Sequence, residues 1–158
     1  MKTLMNIAMA GFMAFACLSF ANGAAAALRT EKLTIVSSKD GKKHDFDVEI
    51  ADTPNSREIG LMFREKMDPD HGMLFEMDKD EPTAFWMKNT LIPLDMLFVA
   101  PDGTIKTIHQ NAIPQDLTAI SSGGPVTGVI ELNGGRTQAL GIVPGDKVVH
   151  PFFKSDKK

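Results

Sequence analysis

LTIVSSKDGKKHDFDVEI, running from Leu33 to Ile50, is the stretch whose reading decides the fold. Leu33 and Ile35 sit two apart before a break at Lys39-Asp40-Gly41-Lys42. After it, Phe46, Val48 and Ile50 alternate with Asp45, Asp47 and Glu49. Apolar side chains at period two, on both sides of an Asp-Gly turn, describe a half-buried β-hairpin: one face of each strand packs on a core while the other meets water.

Outward toward the C-terminus comes the one convincing helix start. Thr53 is placed to cap and Pro54 to occupy the first helical position. A polar-apolar pattern through Arg57, Ile59, Leu61, Met62 and Phe63 then predicts about two or three turns, weakened by Gly60. The run Met67-Asp68-Pro69-Asp70-His71-Gly72 reads as a turn before a short apolar strand, Met73-Leu74-Phe75. Ala84 to Lys88 and Leu91 to Val99 read as two further strands, the second entering a hairpin turn at Pro101-Asp102-Gly103 before Thr104 to His109. A loop holding Ser121-Ser122-Gly123-Gly124-Pro125 leads to a strand from Val126 to Leu132. Asn133-Gly134-Gly135, a short helix near Thr137 to Leu140, and a last strand Lys147 to Val149 complete the chain. The expectation is a mainly β, compact single domain, a sandwich or barrel of about seven or eight short strands with one or two short helices.

Outward toward the N-terminus the chemistry changes. Lys2 precedes a nearly unbroken apolar run from Leu4 to Phe20, and small residues follow from Ala21 to Ala27. That is the pattern of a secretory signal peptide, so residues 1–27 are expected to be cleaved and the mature protein exported, periplasmic or extracellular, with no stable membrane insertion. Cys17, the only cysteine, lies in that segment, and the residues before it, Ala14-Phe15-Ala16, lack the aliphatic residue of a lipoprotein signal. A mature chain beginning at Leu28 has no disulfide, no thiol nucleophile and no thiolate ligand. It keeps 16 of the 17 Lys and Arg and all 20 Asp and Glu, a net charge of −4, which gives no footprint for nucleic acid. Residues 28–153 form the expected β-rich domain, and residues 154–158 a frayed tail.

Several blocks in fixed order resemble the domain of unknown function 192 family. They are Arg57, Gly60-Leu61-Met62 and Arg64; Gly72-Met73-Leu74-Phe75; Phe85-Trp86-Met87-Lys88-Asn89-Thr90 with Pro93-Leu94-Asp95; Glu131-Leu132 with Gly135; and Gly145-Asp146. The resemblance spans roughly Glu31 to Phe152. It implies a compact β-sandwich-like fold and frequent export, and it implies no established activity.

The residues themselves suggest a polar cleft. On an extended Ala84 to Lys88, Trp86 and Lys88 share one face, and Phe85 and Met87 the other. Asp95 and Glu131 each interrupt an apolar run, where a carboxylate needs a partner or water. On a helix, Arg57 and Arg64 lie two turns apart on one face. Arg57, Arg64, Trp86, Lys88, Asn89, Asp95 and Glu131 are therefore candidate ligand-binding residues, suited to a glycan, a peptide or a small anion. Against this stands a structural reading in which Arg57, Arg64 or Lys88 pairs with Asp95 to pin the helix on the sheet, and Trp86 is core.

Other signals are weaker. Asp68, Asp70 and His71 could form a surface metal clip, the scattered histidines have no ligand spacing, and the methionines follow the core pattern. Ser121 and Ser122 have no adjacent base, no nucleophile elbow is present, and no cofactor is expected. The ranking is a binding module for a small molecule or glycan, then a structural or interaction protein of the cell envelope, then a hydrolase using Asp95 and Glu131 as a carboxylate pair.

Overall fold

The computed structural model describes residues 27–153; residues 1–26 of the expected signal segment, Cys17 among them, and the C-terminal tail 154–158 lie outside the described residues. Seven strands form one sheet: β1 (Thr30–Val36), β2 (Lys43–Ala51), β3 (His71–Phe85), β4 (Leu94–Val99), β5 (Ile105–Ala112), β6 (Ile120–Asn133) and β7 (Lys147–Val149). Their spatial order is β5-β4-β6-β3-β2-β1-β7. The two helices are α1 (Pro54–Ile59) and α2 (Arg136–Leu140). The expected mainly β, single-domain architecture is what forms.

The decisive hairpin is β1 against β2, antiparallel from Thr30↔Glu49 to Val36↔Lys43. It places Leu33, Ile35, Phe46, Val48 and Ile50 on one buried face, while Lys32 pairs with Asp47 and Thr34 Oγ1 donates to Asp45 on the other. Strand β2 then pairs in parallel with β3, which requires a crossover; α1 lies in that connection.

The sheet curls until its outermost strands meet. A bridge joins Thr104 to Lys147, and Ile105 N donates to Asp146 O (2.9 Å) while Val148 N donates to Gly103 O (2.8 Å). Asp146 secures this seam, its buried carboxyl accepting from Ser38 N, Ser38 Oγ and Val143 N. Inside the curl lies one apolar cluster, including Leu74, Leu97, Ile130 and Leu132. A second, with Met73, Phe75, Met96, Phe98 and Val129, covers the opposite face of the central strands. Burial on both faces is why β4 reads as a continuous apolar run while the hairpin alternates.

Three expectations are corrected. The helix is only six residues long, because Gly60 adopts φ 49° and the chain leaves the helix there. A Cβ at Gly60 would also stand 3.1 Å from the Phe75 ring, so a close approach as well as a positive φ selects glycine. Met73-Leu74-Phe75 and Ala84-Phe85 belong to one 15-residue strand, carried through register shifts between Glu76 and Ala84. Finally, Ser121 to Pro125 is part of β6 rather than a loop. There the Ser122 hydroxyl accepts from Thr83 N and donates to Gly124 O, replacing ladder bonds at the irregularity.

Among the described residues no helix is long and apolar enough to cross a membrane.

Candidate functional site

Thr53 caps α1 as expected. Its side chain accepts from Ser56 N, and the Ser56 hydroxyl accepts from Thr53 N. The cap fixes where Arg57 projects. Arg57 Nη1 donates to the carbonyls of Asp52 (3.0 Å) and Glu76 (2.8 Å), and Nη2 to Asp78 (2.8 Å). The guanidinium thus ties the crossover to β3.

Arg64 has a different task. Because the helix stops at Ile59, Arg64 lies beyond it and does not share a helical face with Arg57. It makes a two-pronged contact with Glu49 on β2, Nη2 lying 2.6 Å from Oε2, and this charge-assisted pair raises the proton affinity of Arg64.

Asp95 also departs from expectation, for it pairs with none of Arg57, Arg64 or Lys88. Fully buried, its carboxyl accepts from Asn111 N (2.9 Å), Gly135 N (2.9 Å), Thr137 N (2.8 Å) and Thr137 Oγ1 (2.7 Å). It collects the orphan donors of the first turn of α2 and joins that turn to the end of β5. Its partners are mainly backbone groups, which carry no residue signature in the sequence.

Glu131 occupies the adjacent strand on the other face. The register pairs Asp95 with Leu132 and Met96 with Glu131, and cross-strand partners share a face while consecutive residues do not. Asp95 therefore faces the interior of the curl and Glu131 the layer beneath α1. The two carboxyls cannot act on one bond, which removes the proposed hydrolytic pair.

Glu131 sits in the wall of a cleft of about 390 Å³ formed between α1, the segment after it, and the second half of β3. Arg57, Trp86 and Lys88 line the same cleft, with Leu61, Phe75 and Phe85 supplying apolar wall. Glu131 is only 4% exposed. Among the described residues no hydrogen-bond donor and no charge offsets that burial, which alone pushes its carboxyl up to about 8. At neutral pH the group is mainly protonated.

Trp86 is 51% exposed, so it is not core, and Lys88 Nζ stands 5.2 Å from its ring centre. The expected strand from Ala84 to Lys88 stops at Phe85, and Lys88 lies in a turn; Met87 is buried while Trp86 and Lys88 are exposed, but Phe85 lines the same cleft as both rather than facing away. Asn89 stands beside the cleft with φ 55°, its carbonyl accepting from Phe63 N and its amide reaching Met62 Sδ at 3.7 Å. Four expected site residues thus line one cleft, Asn89 holds its rim, and Arg64 and Asp95 serve elsewhere.

Met62 and Met77, expected from the sequence to fill the core, are in the cleft lining, since nothing in a methionine at an apolar spacing tells a wall from a core. The metal clip does not assemble. Asp70 pairs with Arg136, and among the described residues no group of three or more His, Cys, Asp and Glu is placed to hold a metal ion.

Comparison with known proteins bears on the fold and the family. A crystal structure from Sinorhizobium meliloti 1021, described as that of a candidate transcription regulator, is 47% identical with a TM-score of 0.78. The match covers 80% of this chain and 97% of that one. A protein of unknown function from Novosphingobium aromaticivorans is 39% identical with a TM-score of 0.75, over 78% of this chain and 86% of that one. No curated protein matches the chain. The model of the DUF192 family, described as "Uncharacterized ACR", matches residues 35–150, from β1 through β7 and across every wall of the cleft. On that span the chain belongs to the DUF192 family, the domain of unknown function 192.

Proposed function

We propose that this protein is an exported binding module whose cleft takes a glycan or peptide group with an apolar body and a polar head. The observation that carries the reading is Glu131, a residue only 4% exposed whose carboxyl makes no hydrogen bond to the protein among the described residues and opens on a cleft rimmed by the exposed ring of Trp86. A polar group held in an apolar wall costs about 1–3 kcal/mol where it lacks a partner, and a ligand that closes the cleft over Glu131 must supply a hydrogen bond in place of solvent. Trp86 offers a flat apolar face suited to a sugar ring or a side chain. The anionic ligand loses its basis, since Arg57 and Arg64 are committed to internal acceptors.

Trp86 is the only tryptophan and the chain has no tyrosine, so intrinsic emission reports on this cleft. Titration of the mature protein with sugars, muropeptides, short peptides and phosphates is expected to give a water-exposed emission that shifts or quenches with the first three classes and not with phosphate. A blue, ligand-insensitive emission would return Trp86 to a structural role.

A second reading, an interaction protein of the envelope, draws on the exposed side chains of Phe63, Leu91, Ile113 and Leu117, on three neighbouring loops of which the first two adjoin the cleft. Backbone bonds join those loops, Phe63 N to Asn89 O and Gln115 N to Thr90 O. It predicts that polar substitution of Phe63 and Leu117 together releases a partner that otherwise co-purifies with the envelope fraction.

A further inference from the structure

The walls around Glu131 restrict what its partner is. Leu61, Phe75, Met77 and Phe85 are apolar, and the hydrogen-bonding groups nearby reduce to Thr83, Thr90 and the charged side chains of Arg57, Glu58 and Lys88. A sugar buried here would leave hydroxyls unpaired, and an anion would find the Arg57 guanidinium and the Lys88 ammonium already engaged. A straight methylene stem ending in a positive head leaves neither fault.

The protein's own cations do not supply that head. Arg57 is held by Asp52 O, Glu76 O and Asp78; Arg64 by Glu49; and Lys88 lies over Trp86. Of the other acids near this layer, Glu58 also lines the cleft, Asp78 pairs with Arg57, Glu76 is associated with Arg29, and Asp95 faces the opposite side of the sheet. The position of Lys88 also shows that the rim tolerates an ammonium on an aromatic face, the arrangement with which proteins receive alkylammonium groups.

We infer that the cleft is a receptor for a primary aliphatic ammonium, whose head forms an ion pair with the Glu131 carboxylate while its methylene stem lies along Leu61, Phe75, Met77 and Phe85. This rests on the cleft-binding reading above, sets its glycan ligand aside, and assigns the cleft to one chemical class, carried either by a lysine side chain of a peptide or by a free diamine. The reaction balances as a proton exchange. The neutral carboxyl meets the alkylammonium, a carboxylate–alkylammonium pair forms, and the Glu131 proton leaves to solvent. Burial holds that proton on Glu131 to a pH of about 8. Apparent affinity for the ammonium therefore rises about tenfold per pH unit up to that point and flattens above it, until the amine itself loses its charge near about 10.

The test is calorimetric titration of the mature protein with 1,5-diaminopentane and with Nα-acetyl-lysine methylamide at pH 6, 7, 8 and 9. Each is run in two buffers of different ionisation enthalpy. The expected result is release of close to one proton per ligand at pH 6 and 7, falling toward zero at pH 9, with affinity rising in step. Glu131→Gln is expected to lose both the proton release and the pH dependence. The proton count on the unmutated protein decides the matter even if that variant fails to fold. Tighter binding of the acetyl-lysine probe assigns the ammonium to a peptide, and tighter binding of the diamine assigns it to a free polyamine. Equal binding of 1-pentanol with no proton released overturns the ammonium inference and leaves the cleft as a binding site. Absence of heat with all three probes, while a sugar or muropeptide shifts Trp86 emission, also overturns it. Silence from every ligand takes the cleft reading down as well.

Discussion

Asp95 and Glu131 are two acids one register step apart on neighbouring strands, each set in a run of apolar residues, and the fold treats them in opposite ways. Asp95, 0% exposed, is surrounded by three backbone N–H groups and one hydroxyl. Glu131, nearly as buried, meets no donor among the described residues and opens on a cleft. A buried acid with all its bonds made is a fastener; one without protein partners, beside space for a ligand, is placed to gain a bond on binding. The difference lies in the face each residue takes.

The largest expected effect tests the fastener. Asp95→Ala orphans three backbone donors and the Thr137 hydroxyl at about 1–3 kcal/mol each, so the loss should reach at least about 4 kcal/mol. The urea midpoint should fall to the point where the variant is marginally folded. A loss under about 1 kcal/mol would mean that the network around α2 is not holding the end of β5, and the contrast with Glu131 would disappear.

The next effect belongs to Glu131 and is read through pH. Its proton affinity is raised in the folded state, from the ordinary 4.5 to about 8. Between those values the native protein holds a proton that the unfolded chain releases. Stability is therefore full at the acid end, falls with rising pH by at most about 1.4 kcal/mol per unit, and levels off above about 8. Subtracting the unfolding free energy of Glu131→Gln at each pH from pH 5 to 9 isolates that slope. A flat difference would show that water or another group already satisfies the carboxyl.

How much of this contrast the sequence disclosed follows from what each signal depends on. The β1–β2 hairpin, the Thr53-Pro54 cap and the strand Lys147–Val149 rest on local rules of period, capping and turn chemistry, and they form where those rules put them. The 15-residue β3 and the inclusion of Ser121 to Pro125 in β6 were not legible, because they depend on pairing between segments some forty residues apart. Trp86, Lys88, Arg57 and Glu131 meet in one cleft, but not through the expected alternation, since the strand ends at Phe85 and the turn after it carries Lys88. Asp95 was misassigned because an acid in an apolar strand announces that it needs partners without saying that they are amides. Arg64 was misplaced by one local event, the left turn at Gly60.

Arg57 and Arg64 extend the comparison to cations. Both are satisfied, and both should behave like weaker versions of Asp95. Arg57→Ala removes two bonds to carbonyls and one to an exposed carboxylate, a loss of about 1–2 kcal/mol. Arg64→Ala breaks a half-exposed pair with Glu49, a loss of about 0.5–1 kcal/mol. Chemical denaturation at low and high salt separates them, since the Arg57 bonds to carbonyls should resist screening better than the Arg64 ion pair. If either variant abolished ligand response while leaving stability untouched, that arginine would belong with Glu131 after all.

The smallest effect on stability should come from Trp86, and it is the one that most sharpens the contrast. Half of the ring is already in water, and its cation–π contact with Lys88 is worth about 0.5–1 kcal/mol at such a site. Trp86→Ala should therefore cost less than about 1 kcal/mol in unfolding free energy. If the ring caps the ligand above Glu131, the same substitution removes the flat face of the rim and should weaken binding by at least about tenfold. That affinity is measured by calorimetry, because the fluorophore itself is lost. Trp86→Phe restores an aromatic face without the indole, and partial recovery of affinity would tie the loss to stacking rather than to a change in the fold. A stability loss for Trp86→Ala as large as that for Asp95→Ala would place the ring among the fasteners and leave Glu131 as a buried acid with no functional neighbour.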